Sequence, residues 1–145
     1  MNELSIFENS EFGVIRTIEE NGKPYMGMFY LIEYGDKLKI GKTSKPYTRV
    51  MALCRNARYG DIEIGRAALS RFHTNYSDNE RILHTIFANV RILNTELFDI
   101  DFDTAVSSVN EIKLEFKDET KRLEEQANIV CEGFKKLLFG GFLNG

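Results

Sequence analysis

Cysteine and histidine are scarce in this chain of 145 residues, which contains two of each. Cys54 and Cys131 are too few and too far apart to form a disulfide framework or a zinc motif, so we expect two small hydrophobic residues in a reducing compartment. The same scarcity argues against a metal site built mainly from imidazole and thiolate. Any bound metal should be a hard divalent ion held by carboxylate and water.

Long apolar segments are also lacking. No run approaches the roughly 18 apolar residues that a membrane-spanning helix needs. The N-terminal stretch from Met1 to Asn9 has neither the basic region nor the long apolar region of a secretory signal. The hydrophobic fraction of 43% and the charged fraction of 28% are typical of a soluble globular protein. The length suits one ordinary domain with room for an appendage.

The net charge of −3 conceals a strong asymmetry along the chain. Residues 37–71 carry nine basic and two acidic side chains, whereas residues 1–36 carry two basic and seven acidic. Residues 72–145 carry eight basic and thirteen acidic, so the middle segment is +7 and each flank is −5. A local positive stripe suits a phosphate backbone whatever the total charge. Charge alone fits a solvated face equally well.

Short strand patterns dominate the N-terminal part of the chain. Residues 4–7, 12–18 and 23–34 each show strand character, with turn signals between them. The pattern predicts an N-terminal β-hairpin over residues 1–26. Met28 to Tyr34 is apolar on both faces, as a central strand requires.

A two-residue hairpin turn is predicted at Gly35-Asp36. Such a turn pairs Tyr30 with Gly41 and places Lys39 two residues along the return strand. Because side chains alternate faces along a strand, Tyr30 and Lys39 should project from the same face as diagonal neighbours.

The remaining chain shows helical spacing around one more strand. Residues 45–58 form an amphipathic helix with Arg49 at the edge of its apolar stripe, and Ile62 to Phe72 forms a strand. A helix from Ser77 or Asp78 puts Glu80 and His84, four residues apart, on one face.

The C-terminal part shows a long helical pattern from Asp101 to about Phe139. The elements together predict an α/β (α+β) fold, a small mixed and mainly antiparallel sheet flanked by helices. We divide it into a hairpin extension (1–26), a central domain (27–109) and a C-terminal helix (110–145) that is a candidate homodimer element.

The ordered motifs between Gly27 and about Val109 resemble the GIY-YIG endonuclease superfamily in its small phage-type branch. Met28-Phe29-Tyr30 stands where that family has Gly-Ile-Tyr, and Lys39-Ile40-Gly41 where it has Tyr-Ile-Gly. The remaining matches are Lys42-Thr43 after the glycine, Arg49 at the helix arginine, Asn79-Glu80-Arg81-Ile82-Leu83-His84 at a Glu-x-x-Leu-His signature, and Glu96-Leu97-Phe98 at a Glu-Trp-Phe segment.

The resemblance implies metal-dependent phosphodiester hydrolysis, with a role for each matched residue. Glu80 would bind a divalent ion, Mg²⁺ or Mn²⁺, and Arg49 would hold the scissile phosphate in its guanidinium fork. Tyr30 would position or activate the water, Lys42 would neutralise the phosphate or lower the pKa of the base, and His84 would act as base or phosphate donor. Together with the positive stripe, the resemblance implies backbone contacts by Lys42, Lys45, Arg49, Arg55 and Arg58.

Two departures from the family pattern bear on activity. Lys39 occupies the position of a tyrosine that is a candidate general base in family members, although Lys-Ile-Gly is common in the phage-type branch. The asparagine that many members carry late in the domain has no clear match, and Asn94 or Glu96 is the nearest substitute.

A second, shorter resemblance lies between Ile6 and Thr17, which is similar to the opening hairpin of Bro-type phage antirepressor domains. It points to a phage or prophage origin, and hence to the cytoplasm of a bacterial host cell.

Two functions remain open at this stage. The first is a metal-dependent endonuclease acting on DNA, with RNA not excluded and no membrane partner. The alternative is a catalytically weak or inactive module of the same fold that binds DNA or a host defence protein as a phage regulator or inhibitor.

Overall fold

A five-stranded antiparallel sheet forms the centre of the computed structural model, which describes residues 2–119, 129–134 and 137. The strands are β1 (Ser5–Phe7), β2 (Met28–Tyr34), β3 (Lys37–Thr43), β4 (Ile64–Leu69) and β5 (Leu97–Phe98), arranged in the order β1-β4-β2-β3-β5. The helices are α1 (Ile15–Glu20), α2 (Pro46–Tyr59), α3 (Tyr76–Ile86) and α4 (Phe102–Glu111), with 3₁₀ turns at Asn9–Val14 and Ala88–Val90. The predicted α+β class with a flanked antiparallel sheet is confirmed.

The sheet lies between two helical layers, and β2 contributes to both cores. Phe29 and Leu31 pack on the face covered by α3 and α4, whereas Met28, Tyr30 and Ile32 pack on the face covered by α1 and α2. This alternation explains why β2 is apolar at every position from 28 to 32, since a central strand is buried on both sides.

The β2–β3 hairpin has the predicted register. Tyr30 pairs with Gly41 and Ile32 with Lys39. Gly35 has a φ of +63°, the left-handed conformation that the first residue of this two-residue turn requires. The hairpin therefore fixes which side chains of β3 share a face with Tyr30.

The predicted N-terminal β-hairpin is wrong. Only Ser5–Phe7 is a strand, and it pairs with β4 rather than with the residues that follow it. Residues 9–20 are helical because Phe12, Ile15 and Ile18 recur every three residues and pack together against the α1–α2 face of the sheet. The sequence similarity to the Bro-type opening hairpin thus has no counterpart in hairpin structure.

The predicted continuous helix from Asp101 to about Phe139 is also wrong in its middle part. Helix α4 ends at Glu111, and residues 113–119 have no helical structure. The Asn2 side-chain amide donates to the carbonyl oxygens of Val109 (2.6 Å) and Ile112 (2.9 Å), which competes with continuation of the helix. Residues 120–128 lie outside the described residues, and residues 129–134 are helical.

None of the helices in the described part of the chain combines the length and the apolar character needed to cross a membrane.

Candidate functional site

Tyr30 and Arg49 form the centre of the candidate site. The Arg49 Nε–H donates to the Tyr30 hydroxyl at 3.1 Å, which links β2 to the second turn of α2. Tyr30 is only 1% exposed, and its ring crosses directly over Gly41 on the neighbouring strand. A Cβ atom at position 41 would lie 2.6 Å from Tyr30 Cζ. The glycine of the Lys-Ile-Gly motif therefore provides the space that this tyrosine occupies.

The Tyr30 hydroxyl is held in its neutral form. Burial raises the pKa of Tyr30 above its ordinary value, and the negative charges of Glu96 and Glu80 add to this increase. The Arg49 hydrogen bond and charge oppose it without reversing it. A phenol in this state orients a neighbour or donates a hydrogen bond, and it does not accept a proton as a base.

Glu80 lies on α3, where its charge acts on Tyr30, and His84 is its neighbour one turn along the helix. His84 Nε2 is 3.7 Å from Glu80 Oε1 and 2.9 Å from the Ile40 carbonyl oxygen. Because a carbonyl only accepts, the Nε2 atom carries the hydrogen. The Glu80 side chain is 12% exposed, so its carboxylate is largely enclosed. His84 therefore links α3 to β3 beside Glu80, and its role as base or phosphate donor stays a prediction.

Two lysines lie near the entrance to α2. The Lys42 Nζ donates to Ser77 Oγ at 3.1 Å, and this contact joins β3 to the first turn of α3. Lys45 is exposed at the N-cap position of α2, and its backbone N–H donates to Thr43 Oγ1 at 2.9 Å. Lys42 and Lys45 both lie at the end of β3 where α2 begins, but the Lys42 side chain reaches α3 whereas Arg49 contacts Tyr30.

Lys39 lies on the same face of the sheet as Tyr30, as predicted, but its amine contacts Tyr34 rather than Tyr30. Its Nζ lies 5.6 Å from the ring centroid of Tyr34, within range of a cation–π interaction. Tyr34 is the partner of Lys37 at the turn end of the hairpin. The amine thus contacts the end of the hairpin that is farther from the Tyr30–Gly41 pair.

Arg55 and Arg58 are exposed but stand farther from the centre. They follow Arg49 by six and nine residues on α2, which places their Cα atoms roughly 9 and 13 Å farther along the helix axis. Arg58 lines a groove between α2 and the first 3₁₀ turn, beside Asn9 and Phe12. Of the predicted nucleic-acid set, Lys42, Lys45 and Arg49 therefore come from the β3–α2 junction, and Arg55 and Arg58 lie farther along α2.

Two site residues carried little or no weight in the sequence analysis. Ser77 entered only as a candidate helix start, although it binds Lys42. Glu96 lies just before β5, and its charge acts on both Tyr30 and Arg49. The sequence signal for Glu96 was its place in the Glu-Leu-Phe segment, and no signal distinguished Ser77 from other polar residues of a helix start.

The donor set at Glu80 fits a hard divalent ion. Among residues 2–119, 129–134 and 137, no group of three or more His, Cys, Asp or Glu side chains could hold a metal. Mg²⁺ commonly uses one or two carboxylates and completes its shell with water and phosphate oxygens. A single enclosed carboxylate such as Glu80 matches that pattern of coordination.

Comparison with protein families decides the relationship of this chain. The model of the T5orf172 domain matches residues 27–117. The chain belongs to the T5orf172 family. T5orf172 is a phage-associated domain related to GIY-YIG and HNH-type nuclease-like folds. Neither curated proteins nor solved structures give a match.

The T5orf172 match begins at Gly27, as the predicted domain does, and extends beyond the predicted end at residue 109. The additional residues include the extended segment 113–117, which crosses the start of α3. The Asn79 side chain donates to the Glu115 carbonyl oxygen at 2.8 Å and lies 3.0 Å from His73 Nε2. The T5orf172 region thus includes the segment that holds the residue preceding Glu80.

Proposed function

We propose that this protein is a metal-dependent phosphodiesterase that cuts DNA and is encoded by a phage or prophage. The phage association and the DNA-related character of the T5orf172 domain support the proposal at the level of the family. The observation that carries it is the Arg49–Tyr30 hydrogen bond formed over Gly41, with Glu80 acting electrostatically on the same tyrosine.

In this proposal, Arg49 and Lys42 bind the scissile phosphate. The Tyr30 hydroxyl accepts from Arg49 Nε, which leaves the two terminal nitrogens of the guanidinium free to form a two-pronged contact with phosphate. Holding Arg49 in advance lowers the entropy lost on binding. The neutral Tyr30 hydroxyl can donate its own hydrogen to a phosphate oxygen or to the attacking water.

Glu80 would hold the divalent ion, which when bound supplies charge for polarising the phosphate. His84 lies beside this carboxylate, with 3.7 Å between its Nε2 and Glu80 Oε1, and its Nε2–H is donated to the Ile40 carbonyl oxygen, which ties α3 to β3 at this point.

A second candidate is favoured by Lys39. This residue replaces a tyrosine of the related nuclease pattern, and its amine lies over Tyr34. Because burial raises the pKa of Tyr30, its neutral hydroxyl does not supply an evident base. The second candidate is therefore a catalytically weak or inactive module that binds DNA or a host defence protein as a phage regulator.

A cleavage assay separates the two candidates. The wild type is incubated with plasmid and with single-stranded DNA in Mg²⁺, in Mn²⁺ and in a chelator. We expect metal-dependent cleavage that is lost in Glu80→Gln, which keeps the shape of the side chain and removes its charge. Arg49→Lys keeps the charge but loses the fork, and we expect a rate lower by about 10²–10³.

Glu111→Gln is the matched control, since Glu111 is an exposed carboxylate at the end of α4. It should cleave like the wild type. Absence of cleavage by the wild type, together with salt-dependent DNA binding, would favour the second candidate. Equal cleavage by wild type and Glu80→Gln would refute the role of Glu80.

A further inference from the structure

Tyr25 is a half-exposed aromatic residue in an unusual backbone conformation. It has a φ of +66° and is 53% exposed. Lys23, Pro24, Tyr25 and Met26 form a turn closed by the Met26 N–H and the Lys23 carbonyl oxygen at 3.3 Å. A turn with proline second and positive φ third normally carries glycine or asparagine at the third place. This turn holds a half-exposed tyrosine there, in a backbone conformation that costs a non-glycine residue free energy.

The groove beside Tyr25 adjoins the candidate site. Tyr25 lines it together with Ser44, Lys45 and Thr48 from the entrance of α2. The strand pair next to the groove ends at Met28 and Thr43, two residues beyond the Tyr30–Gly41 pair. Thr48 directly precedes Arg49 in α2.

The charges that line this groove balance. Lys23 and Lys45 are opposed by Glu19 and Glu20. Both oxygens of Glu19 are also engaged, because Oε1 accepts from the Thr48 N–H at 2.9 Å and Oε2 from the Thr48 hydroxyl at 3.1 Å. A balanced groove gives little attraction to a phosphate, whereas an exposed ring suits a flat neutral group.

We infer that Tyr25 stacks on a nucleobase of the bound DNA strand, next to the phosphate that Arg49 and Lys42 contact. The inference rests on the proposed function and deepens it, because it assigns the base to the Tyr25 groove and the phosphate to the cations of α2 and β3. Stacking on an aromatic side chain tolerates any base, since every base has a π-face. The site therefore takes an unpaired or splayed nucleotide.

Tryptophan provides a direct probe, because the chain contains none. Tyr25→Trp introduces a single tryptophan at the groove, which is excited selectively at wavelengths that the tyrosines do not absorb. Its emission should be quenched by a short single-stranded oligodeoxynucleotide, at the concentrations at which binding saturates by fluorescence anisotropy. Tyr59→Trp is the matched control, since Tyr59 is 92% exposed at the far end of α2 and its replacement should not be quenched.

Affinity gives a second readout. Tyr25→Ala should weaken binding of a base-bearing oligonucleotide by about 5- to 150-fold. It should leave the affinity for an abasic strand unchanged, since that strand offers phosphates only. Tyr25→Gly should lose the same affinity without losing stability, because glycine relieves the positive φ; a tyrosine kept for packing would show the opposite.

The outcomes distinguish this inference from the proposed function. If the wild type binds DNA in a salt-dependent manner but Tyr25→Trp emission does not respond, or Tyr25→Ala binds both strands as the wild type does, only the stacking site is overturned. If the wild type neither binds nor cuts DNA, the proposed function fails and the stacking site fails with it. Quenching together with a loss confined to the base-bearing strand supports the assignment.

Discussion

Replacing Gly41 with alanine tests the contact on which the candidate site depends. The added Cβ would lie 2.6 Å from Tyr30 Cζ and closer still to the hydroxyl oxygen. Tyr30 cannot simply swing outward, because its ring is 1% exposed and packs in the core between the sheet and α2. The substitution therefore has to displace the ring, the strand or both.

The expected cost follows from two contributions. Forcing a methyl group into a packed site costs about 1–3 kcal/mol. Displacement of Tyr30 also weakens its hydrogen bond with the charged Arg49, and such bonds contribute about 1.5–3 kcal/mol. We expect Gly41→Ala to lower the free energy of unfolding by about 2–5 kcal/mol, since the two contributions overlap through the same ring.

Urea unfolding of four proteins measures this coupling: the wild type, Gly41→Ala, Tyr30→Phe and the double variant. Tyr30→Phe removes the atom nearest to the new methyl group, so Gly41→Ala should cost less in that background, by at least about 0.5 kcal/mol. Gly13→Ala is the control, because a Cβ there meets no atom within 4 Å. Additive costs, or a Gly41→Ala cost no larger than that of Gly13→Ala, would refute the reasoning.

Four further predictions rest on separate contacts. Burial lowers the pKa of His73, so the free energy of unfolding should fall as the pH drops below about 6.5 and level off below the folded-state pKa. Urea titrations at a series of pH values measure this profile, and a flat profile would contradict the prediction. The Arg66 hydrogen bond lowers the pKa of Glu33, so its stabilisation is present above pH 4.5 and lost as pH falls through the lowered value; Glu33→Gln should remove that dependence. Because burial raises the pKa of Tyr30, ultraviolet difference titration should show it ionising after the exposed tyrosines, and Tyr30→Phe should abolish that late step. The homodimer stays a prediction; residues 129–134 expose large apolar side chains, and analytical ultracentrifugation showing only monomer at high concentration would end it.

Local patterns predicted the hairpin that carries the site. The Gly35-Asp36 turn determines the pairing of Tyr30 with Gly41, and the apolar character of both faces determines that β2 is central. These features depend on neighbouring residues alone, so the sequence is sufficient to reveal them. The helical spacing that places Glu80 beside His84 is equally local.

The N-terminal segment differs from the predicted β-hairpin because its apolar residues follow the helical period rather than the alternating period of a strand. Apolar residues between 6 and 18 fit both an alternating and a helical pattern over so short a stretch. The choice is made by tertiary packing, because Phe12 and Ile15 are buried against the sheet and α2 only when the segment is helical. The spacing of Phe12, Ile15 and Ile18 fits the helix that forms, but the sequence alone does not exclude the alternating pattern.

The C-terminal sequence does contain a signal for the extended segment that follows α4 in place of the predicted long helix. Ile112, Leu114 and Phe116 alternate with Lys113 and Glu115, which is the period of an extended segment. The first three are partly buried against the core formed with α3 and α4. The sequence does not show what anchors this segment, because Asn75 and Asn79, which donate to its backbone, lie about 40 residues away along the chain.

Because the Tyr30 hydroxyl is neutral, Glu80 rather than the Tyr30–Arg49 pair distinguishes the two candidate functions. The resemblance to nucleases implies that Tyr30 positions or activates the water, whereas the raised pKa keeps its hydroxyl neutral and hydrogen-bonded to Arg49. An arginine oriented in advance serves phosphate binding in a nuclease and in an inactive DNA-binding module alike. The Tyr30–Arg49 pair therefore does not discriminate between them. Glu80 does discriminate between them. An enclosed carboxylate beside the proposed phosphate site repels a DNA phosphate unless a cation lies between the two negative charges. A module that only bound DNA would bind it more tightly with glutamine at position 80, whereas a metal-dependent enzyme would lose its activity.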